Sequence, residues 1–573
     1  MNNQSLNHFA YAPMDLTMSR SRFKRPFDHK TSFDAGKLVP LYCDEVLPGD
    51  TVKMSVASLV RMATPLFPVM DNAFLDLVAY FVPNRLVWEH WQEFCGENRS
   101  THWAEPVTYR VPITTAPTNS GDNVSGSTVK GWAKGSLADY LGVPIKVPDI
   151  QVSSLPFRAY CKVWNDWYRD ENLQDPCDIP INDSNTSGSN YGTNSSSHDN
   201  FLNGNYVTYV KGGSALLPVC KFHDYFTSAL PAPQKSANPV SIPLGLYAPV
   251  TNLSDFGVTI TGPNSFSPKF YNHNAAEVSE GKWPLFAYKT STSNTMAISS
   301  SSSSTASVSN ARLSLAADLS HATAITVNAL REAFALQRYF ERNARGGSRY
   351  IELIKAHFGV TSPDGRLQRS EMLGGKRIPI NITQVAQTAV GSSTVVGDLA
   401  AFSQTLGNSE LFTHSFTEHG WLFVMGCVRT ARTYQQGLAP KFCRRDLIDF
   451  YWPSFANLGE MPIKNKYIYA QGTSVDDEIF GYQEAYAEYR YSPNRISGEL
   501  RSTYANALDQ WHYGDHYASK PTLTADWIRE PQANVSRTLA VQNQDQFIGD
   551  FAFDTTWVRV MPVYSVPGLI DHH

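Results

Sequence analysis

The chain has 573 residues, of which 42% are hydrophobic and 12% aromatic but only 17% charged. That length buries a large core, and the low charge points either to extensive charge-poor contacts between copies or to a polar surface rich in Ser, Thr and Asn. With 48 Lys and Arg against 52 Asp and Glu, and a formal net charge of −4, the chain cannot coat nucleic acid with its whole surface, so any such contact is local.

Residues 1–40 read as a flexible polar arm without a periodic apolar pattern. Within 20–30 it concentrates Arg20, Arg22, Lys24, Arg25 and Lys30 against the single Asp28. Fully extended, about 30 residues of such an arm reach up to about 100 Å. Strand-like text follows. Val52, Met54 and Val56 alternate with Lys53 and Ser55, and 74–82 is a near-continuous apolar run stopped by Pro83. Its length, β-branching and flanking breaker predict a buried strand. Phe157, Tyr160, Trp164, Trp167 and Tyr168 then fall at steps of three and four, the spacing of a helix that Pro156 opens and Pro176 closes.

Residues 183–200 and the serine run 299–304 cannot bury a core. The text around and between them still holds Tyr206, Val207, Tyr209, Val210, Phe222, Tyr225, Phe226 and Trp283. This predicts a surface insertion over 183–309 with a modest core of its own. Leu330, Ala333, Phe334, Phe340 and Ala344 make a second helical stripe, with Gly346-Gly347 as its stop. Beyond 376 the β signal returns at Ile378, Ile380 and Ile382, at 422–428, and at Phe551, Phe553, Trp557, Val558, Val560 and Val563. Strands at both ends, with helices and an insertion between them, predict a mainly β sandwich with long inter-strand excursions. The core divides into 41–182 and 310–573.

No catalytic signature emerges. His414 and His419 lie five apart and miss the zinc-protease spacings, and Gly374-Gly375-Lys376-Arg377 lacks the spacing of a phosphate loop. His512 and His516 stand four apart near Asp509 and Asp515, a spacing that could share a divalent ion on a helix, but Gly514 interrupts the turn. Asp476-Asp477-Glu478 reads as a solvated turn. Tyr482, Tyr486, Tyr489, Arg490, Tyr491 and Arg495 suit a core strand or subunit interface, and also stacking on unpaired bases. The seven dispersed cysteines include no CxxC pair, which argues against a disulfide framework or zinc ribbon. Neither a signal peptide nor an apolar run of about 18 residues is present, so no membrane insertion is expected.

Several longer phrases are specific. Arg158-Ala159-Tyr160 leads to 164–173, WNDWYRDENL. Residues 344–350 read ARGGSRY, followed by His357-Phe358-Gly359-Val360 and then Arg366-Leu367-Gln368-Arg369. Tyr434-Gln435-Gln436-Gly437-Leu438, Ala487-Glu488-Tyr489-Arg490-Tyr491 and the closing 568–572, GLIDH, complete the set. Together they resemble the major capsid protein of the Microviridae, gokushovirus type, over residues 1–182 and 310–573.

The resemblance implies an eight-stranded viral jelly roll assembled as a T=1 icosahedral shell around circular single-stranded DNA. The insertion would then meet its copies at the three-fold axis as a protrusion for host attachment. The implied partners are further copies of the chain, non-specifically packaged DNA, an internal scaffolding protein, a small basic DNA-binding protein, a pilot protein and a bacterial surface receptor. Assembly would occur in the host cytoplasm. No catalytic residue, cofactor or metal is expected. Arg20, Arg22, Lys24, Arg25 and Lys30 are the candidates for neutralising phosphates on the inner face. A phage spike or adhesin, or a β-rich glycan-active enzyme, are the alternatives. The first leaves the basic segment unexplained, and the second would need a signal peptide.

Overall fold

The computed structural model describes residues 20–97, 108–116, 131–132, 134–177, 179–187, 216–236, 327–389 and 395–564, together with the backbone of short strands at 123–124, 127–128, 250–252, 286–289, 296–299 and 315–317. The chain divides into two units, Met1–Lys235 with Glu341–His573, and Ser236–Phe340.

Two antiparallel sheets organise the larger unit. Their strands are β1 (Ser21–Lys24), β2 (Phe27–Phe33), β3 (Val39–Val46), β4 (Thr51–Met62), β5 (Ala73–Pro83), β6 (Glu371–Pro379), β7 (Thr405–Ser415), β8 (Gly420–Thr430) and β9 (Phe547–Arg559). One sheet runs β1–β9–β4–β7, with β2 also pairing along β9. The other runs β6–β5–β8–β3. The patterns of β4 and β5 show why they lie where they do. In β4, Val52, Met54, Val56, Val60 and Met62 are buried while the residues on the opposite face point outward. In β5 nearly every side chain is buried, because both of its faces are covered.

A single apolar cluster fills the space between the sheets and continues past them through Trp88, Trp132, Phe157, Tyr160 and Trp164. The aromatic stripe forms helix α1 (Leu155–Val163), with Pro156 in its first turn, and extends into a π-helical turn at Trp164–Tyr168. Helix α2 (Val327–Gly346) stops at the predicted glycine pair, and α3 (Tyr350–Phe358) ends on Gly359 at φ 71°.

In the smaller unit, Val250–Asn252 pairs with Leu315–Ala317 and Phe286–Lys289 with Met296–Ser299, both antiparallel.

Two expectations change. The segment read as a flexible arm is β-sheet from Ser21 onward: Phe23 lies opposite Trp557, Phe27 opposite Phe553 and Phe33 opposite Phe547. The apolar residues that hold it lie more than 500 positions away in the chain, where local periodicity cannot register them. The unit boundaries also differ from 183–309. Leu216, Leu217 and Val219 join the main core, while Tyr225 and Phe226 join a second cluster with Tyr434, Ile463, Ile468 and Phe480. They therefore belong to the larger unit and not to a separate insertion core. Tyr206, Val207, Tyr209, Val210 and Trp283 lie outside the described residues.

Candidate assembly and nucleic-acid interfaces

The five predicted basic residues lie along the free edge of the β1–β9–β4–β7 sheet. On β1, Phe23 faces Trp557, which turns Arg22 and Lys24 outward. Arg20, just before the strand, is also exposed. None of these three forms an ion pair with a described residue. The other two are engaged. Arg25 bonds Asp44 at 2.7 Å and lies 5.1 Å from the Trp557 ring centre, while Lys30 sits 3.4 Å from Asp550, its partner in register.

Two basic residues not singled out in the sequence, Lys53 and Arg61, stand on the same outward face. The alternation of β4 was the signal that could have found them. Lys53 pairs with Glu410 at 3.1 Å. Such exposed pairs contribute only about 0–1 kcal/mol, so an incoming phosphate can displace them. The face is not uniformly positive, since Asp28 and Asp554 share it.

A second surface follows β8. One-turn 3₁₀ helices at Pro440–Phe442, Leu447–Asp449 and Pro453–Phe455 are too short to enclose their own apolar side chains. Phe442, Leu447, Ile448, Phe450, Tyr451 and Trp452 are 46–67% exposed. Contacts with 486–491 anchor this segment at Arg444, Ile448 and Tyr451. Tyr451 packs edge-on against Tyr486 at 5.5 Å, the Tyr486 hydroxyl donates to the Ile448 carbonyl at 2.8 Å, and Arg444 lies 4.1 Å from the Tyr489 ring centre. Tyr489 and Tyr491 are themselves about half exposed. Large side chains half exposed in this number present on the order of 800 Å² of apolar surface. That exceeds the largest patch of a typical monomer, about 300–600 Å², and matches one side of a standard interface. Of the aromatic–arginine run, then, Tyr486 is a buried support and Tyr489 and Tyr491 are surface.

The remaining motifs are structural. His512 is extended at φ −148° and bonds the Leu500 carbonyl through Nε2 at 2.7 Å, whereas His516 is exposed, so the two do not converge. His414 lies 4.0 Å from Glu371, and the His419 ring is 5.5 Å from that of Trp91. Among the described residues, no cluster of His, Cys, Asp and Glu could hold a metal.

Asp515 anchors a buried charge network that sequence reading missed. It meets Lys221 and Arg432, each at 3.2 Å, and accepts from Asn534 at 2.6 Å and Tyr517 at 2.9 Å. Arg432 also bonds Glu530 at 2.6 Å. Burial alone would raise the Asp515 carboxyl, but Lys221, Arg432 and these hydrogen bonds hold it down to about 2.

Known proteins are similar in sequence to this chain along nearly its whole length. The capsid protein (F protein) family matches residues 14–569. The chain is 40% identical over 561 residues to the capsid protein VP1 of Spiroplasma virus 4, covering 96% of this chain and 95% of that protein. It is 38% identical over 566 residues to the capsid protein VP1 of Bdellovibrio phage phiMH2K, covering 98% and 97%. It is 37% identical over 608 residues to the capsid protein VP1 of Chlamydia phage 1, covering 98% of each.

Proposed function

This chain belongs to the capsid protein (F protein) family, whose members are structural proteins and not enzymes, and from that premise we propose that it builds a T=1 icosahedral shell around circular single-stranded DNA. Counting β1 and β2 as one interrupted strand gives eight strand positions, and the sheets then follow the orders 1–8–3–6 and 5–4–7–2. That order supports an eight-stranded jelly roll.

The observation that carries self-assembly is the exposed aromatic patch at 442–452 and 489–491. A single chain leaves it in water, and a second copy is the occupant that a shell protein supplies. Arg20, Arg22 and Lys24, free of ion pairs with described residues, serve non-specific phosphate contact, with Lys53 and Arg61 on the same face. The scaffolding, DNA-binding and pilot proteins are the assembly partners in the host cytoplasm, and the variable insertion faces the host receptor.

The test is Leu447→Asp with Trp452→Asp in the full chain, co-expressed with its scaffolding protein and imaged by negative stain. Shell yield should fall by more than about tenfold, as for removal of a central interface anchor, while the far-UV spectrum is unchanged. Normal yields of closed shells from this variant would refute the patch as an assembly contact.

A further inference from the structure

A cleft of about 460 Å³ opens against the outer side of the β6–β5–β8–β3 sheet. Its floor includes Asp76 and Tyr80 of β5, Gly375 to Arg377 of β6 and Arg429 of β8. Its walls include Trp167 to Asp170, which follow α1, and Arg349. Six cations line it, Arg169, Lys221, Arg349, Lys376, Arg377 and Arg429, against Asp76 and Asp170.

Some of that charge is matched locally. Lys221 is paired with Asp515 at 3.2 Å, and Arg349 with Glu171 and Glu352 at 3.4 and 3.2 Å. The rest is not. Arg377 and Arg429 share the single carboxylate of Asp76. Arg169 donates to the Gln174 carbonyl at 2.7 Å, and neither it nor Lys376 forms an ion pair with a described residue. Asp76 therefore offsets only one of its two arginines, and Arg169 and Lys376 add positive charge that no ion pair with a described residue offsets.

Two further observations point to an anionic ligand. The Nε–H groups of Arg169 and Arg429 are buried without an acceptor, and both residues line this cleft. The arginines on the floor are also fixed in place: Asp76 grips both, and their guanidinium carbons lie 4.4 and 4.2 Å from the Phe222 ring centre. Gly375 lets β6 lie close against β5 in the floor, since a Cβ there would lie 2.8 Å from the Leu77 carbonyl oxygen.

We propose that this cleft binds a nucleotide phosphate, with the phosphoryl oxygens held by Arg169, Arg377, Arg429 and Lys376. Fixed guanidinium forks match phosphate oxygens, and the volume admits the attached sugar or base as well. The phosphate comes either from a nucleic-acid strand or from a free mononucleotide or inorganic phosphate. The site is separate from the face that carries Arg22 and Lys24 and does not depend on shell formation.

The test titrates the full-length protein by calorimetry with inorganic phosphate, with thymidine monophosphate and with a short oligothymidylate. Saturable binding of at least one probe is expected. Lys376→Gln, an exposed change that breaks no ion pair with a described residue, should weaken it at least about threefold, and Arg429→Lys about tenfold or more because the fork is gone. Binding of the mononucleotide or phosphate alone identifies a free ligand; tighter oligothymidylate binding that phosphate competes away identifies a strand. The proposal is overturned if no probe saturates. It is equally overturned if binding ignores both cleft variants, including the case where oligothymidylate binding disappears only in Arg22→Gln/Lys24→Gln, which would place the strand on the other face.

Discussion

The two sheets of the sandwich are treated differently on their outer sides. β4 has an outer row of Lys53, Ser55, Ala57, Leu59 and Arg61, none of them buried, and an inner row that is apolar except at Ser58. β5 instead carries Asp76, Val78 and Tyr80 on its outer side, where α1, its π-helical extension and residues around 220 pack over them. One sheet is an amphipathic wall, and the other is the middle layer of a thicker body. Strand text records the difference: alternation where one face meets water, a continuous apolar run where neither does. Charges obey the same rule. On the first sheet they stand free or in exposed pairs; beyond the second, Lys221, Arg432, Asp515 and Glu530 are buried and matched, whereas the cleft leaves Arg169 and Lys376 without an ion pair to a described residue.

The largest expected effect therefore lies in the covered layer. Asp515→Asn leaves Lys221 and Arg432 with only Glu530 to balance them in a buried site. Breaking such a pair costs about 3–5 kcal/mol, which a urea melt of the full chain would show as a large fall in the midpoint. A change below about 1 kcal/mol would mean that this layer is as wet as the other face and would erase the distinction. Next comes Gly437→Ala, whose Cβ would strike the Tyr467 carbonyl and Ile468 backbone. Overpacking of that kind costs about 1–3 kcal/mol, readable in the same melt.

The network also makes a pH prediction. The Asp515 carboxyl is held at about 2, below its ordinary 3.8, so its folded form binds a proton less readily than its unfolded form. The resulting stabilisation, about 2 kcal/mol, is complete above the ordinary value and disappears as pH falls from about 4 towards 2. The stability gap between wild type and Asp515→Asn should narrow across that window. A gap constant from about pH 6 to pH 2 would show that the carboxylate is not held by its cations.

The same contrast explains what the sequence could reveal. β4, β5 and both aromatic stripes were legible because their partners' chemistry repeats locally, every second residue or every third and fourth. β1 and β2 were not: their cations dominate the text, while the rings they pack on, Trp557, Phe553 and Phe547, come from the other end of the chain. Tyr225 and Phe226 were misplaced for the same reason, since they pack with Tyr434 and Phe480 across more than 200 residues. The cleft draws Asp76, Arg169, Arg349, Arg377 and Arg429 from separate segments. No spacing rule could assemble them, and the Gly374–Arg377 phrase proved to be strand floor, not a phosphate loop.

The smallest effect on stability is expected on the open sheet, where it is also the most informative. Arg22 and Lys24 project from an edge strand, make no ion pair with a described residue, and leave Phe23 to pack without them. Arg22→Gln with Lys24→Gln should shift stability by no more than about 0.5 kcal/mol, as for surface changes away from caps and buried pairs. If both side chains neutralise phosphates of a single strand, the slope of log affinity against log salt should fall by about 1.4, because each phosphate left unneutralised keeps about 0.7 of a condensed counterion. An unchanged slope with unchanged stability would leave the outward cations as solubility charges alone. An unchanged slope with reduced stability would mean that the edge strand, and not the nucleic acid, is what they serve.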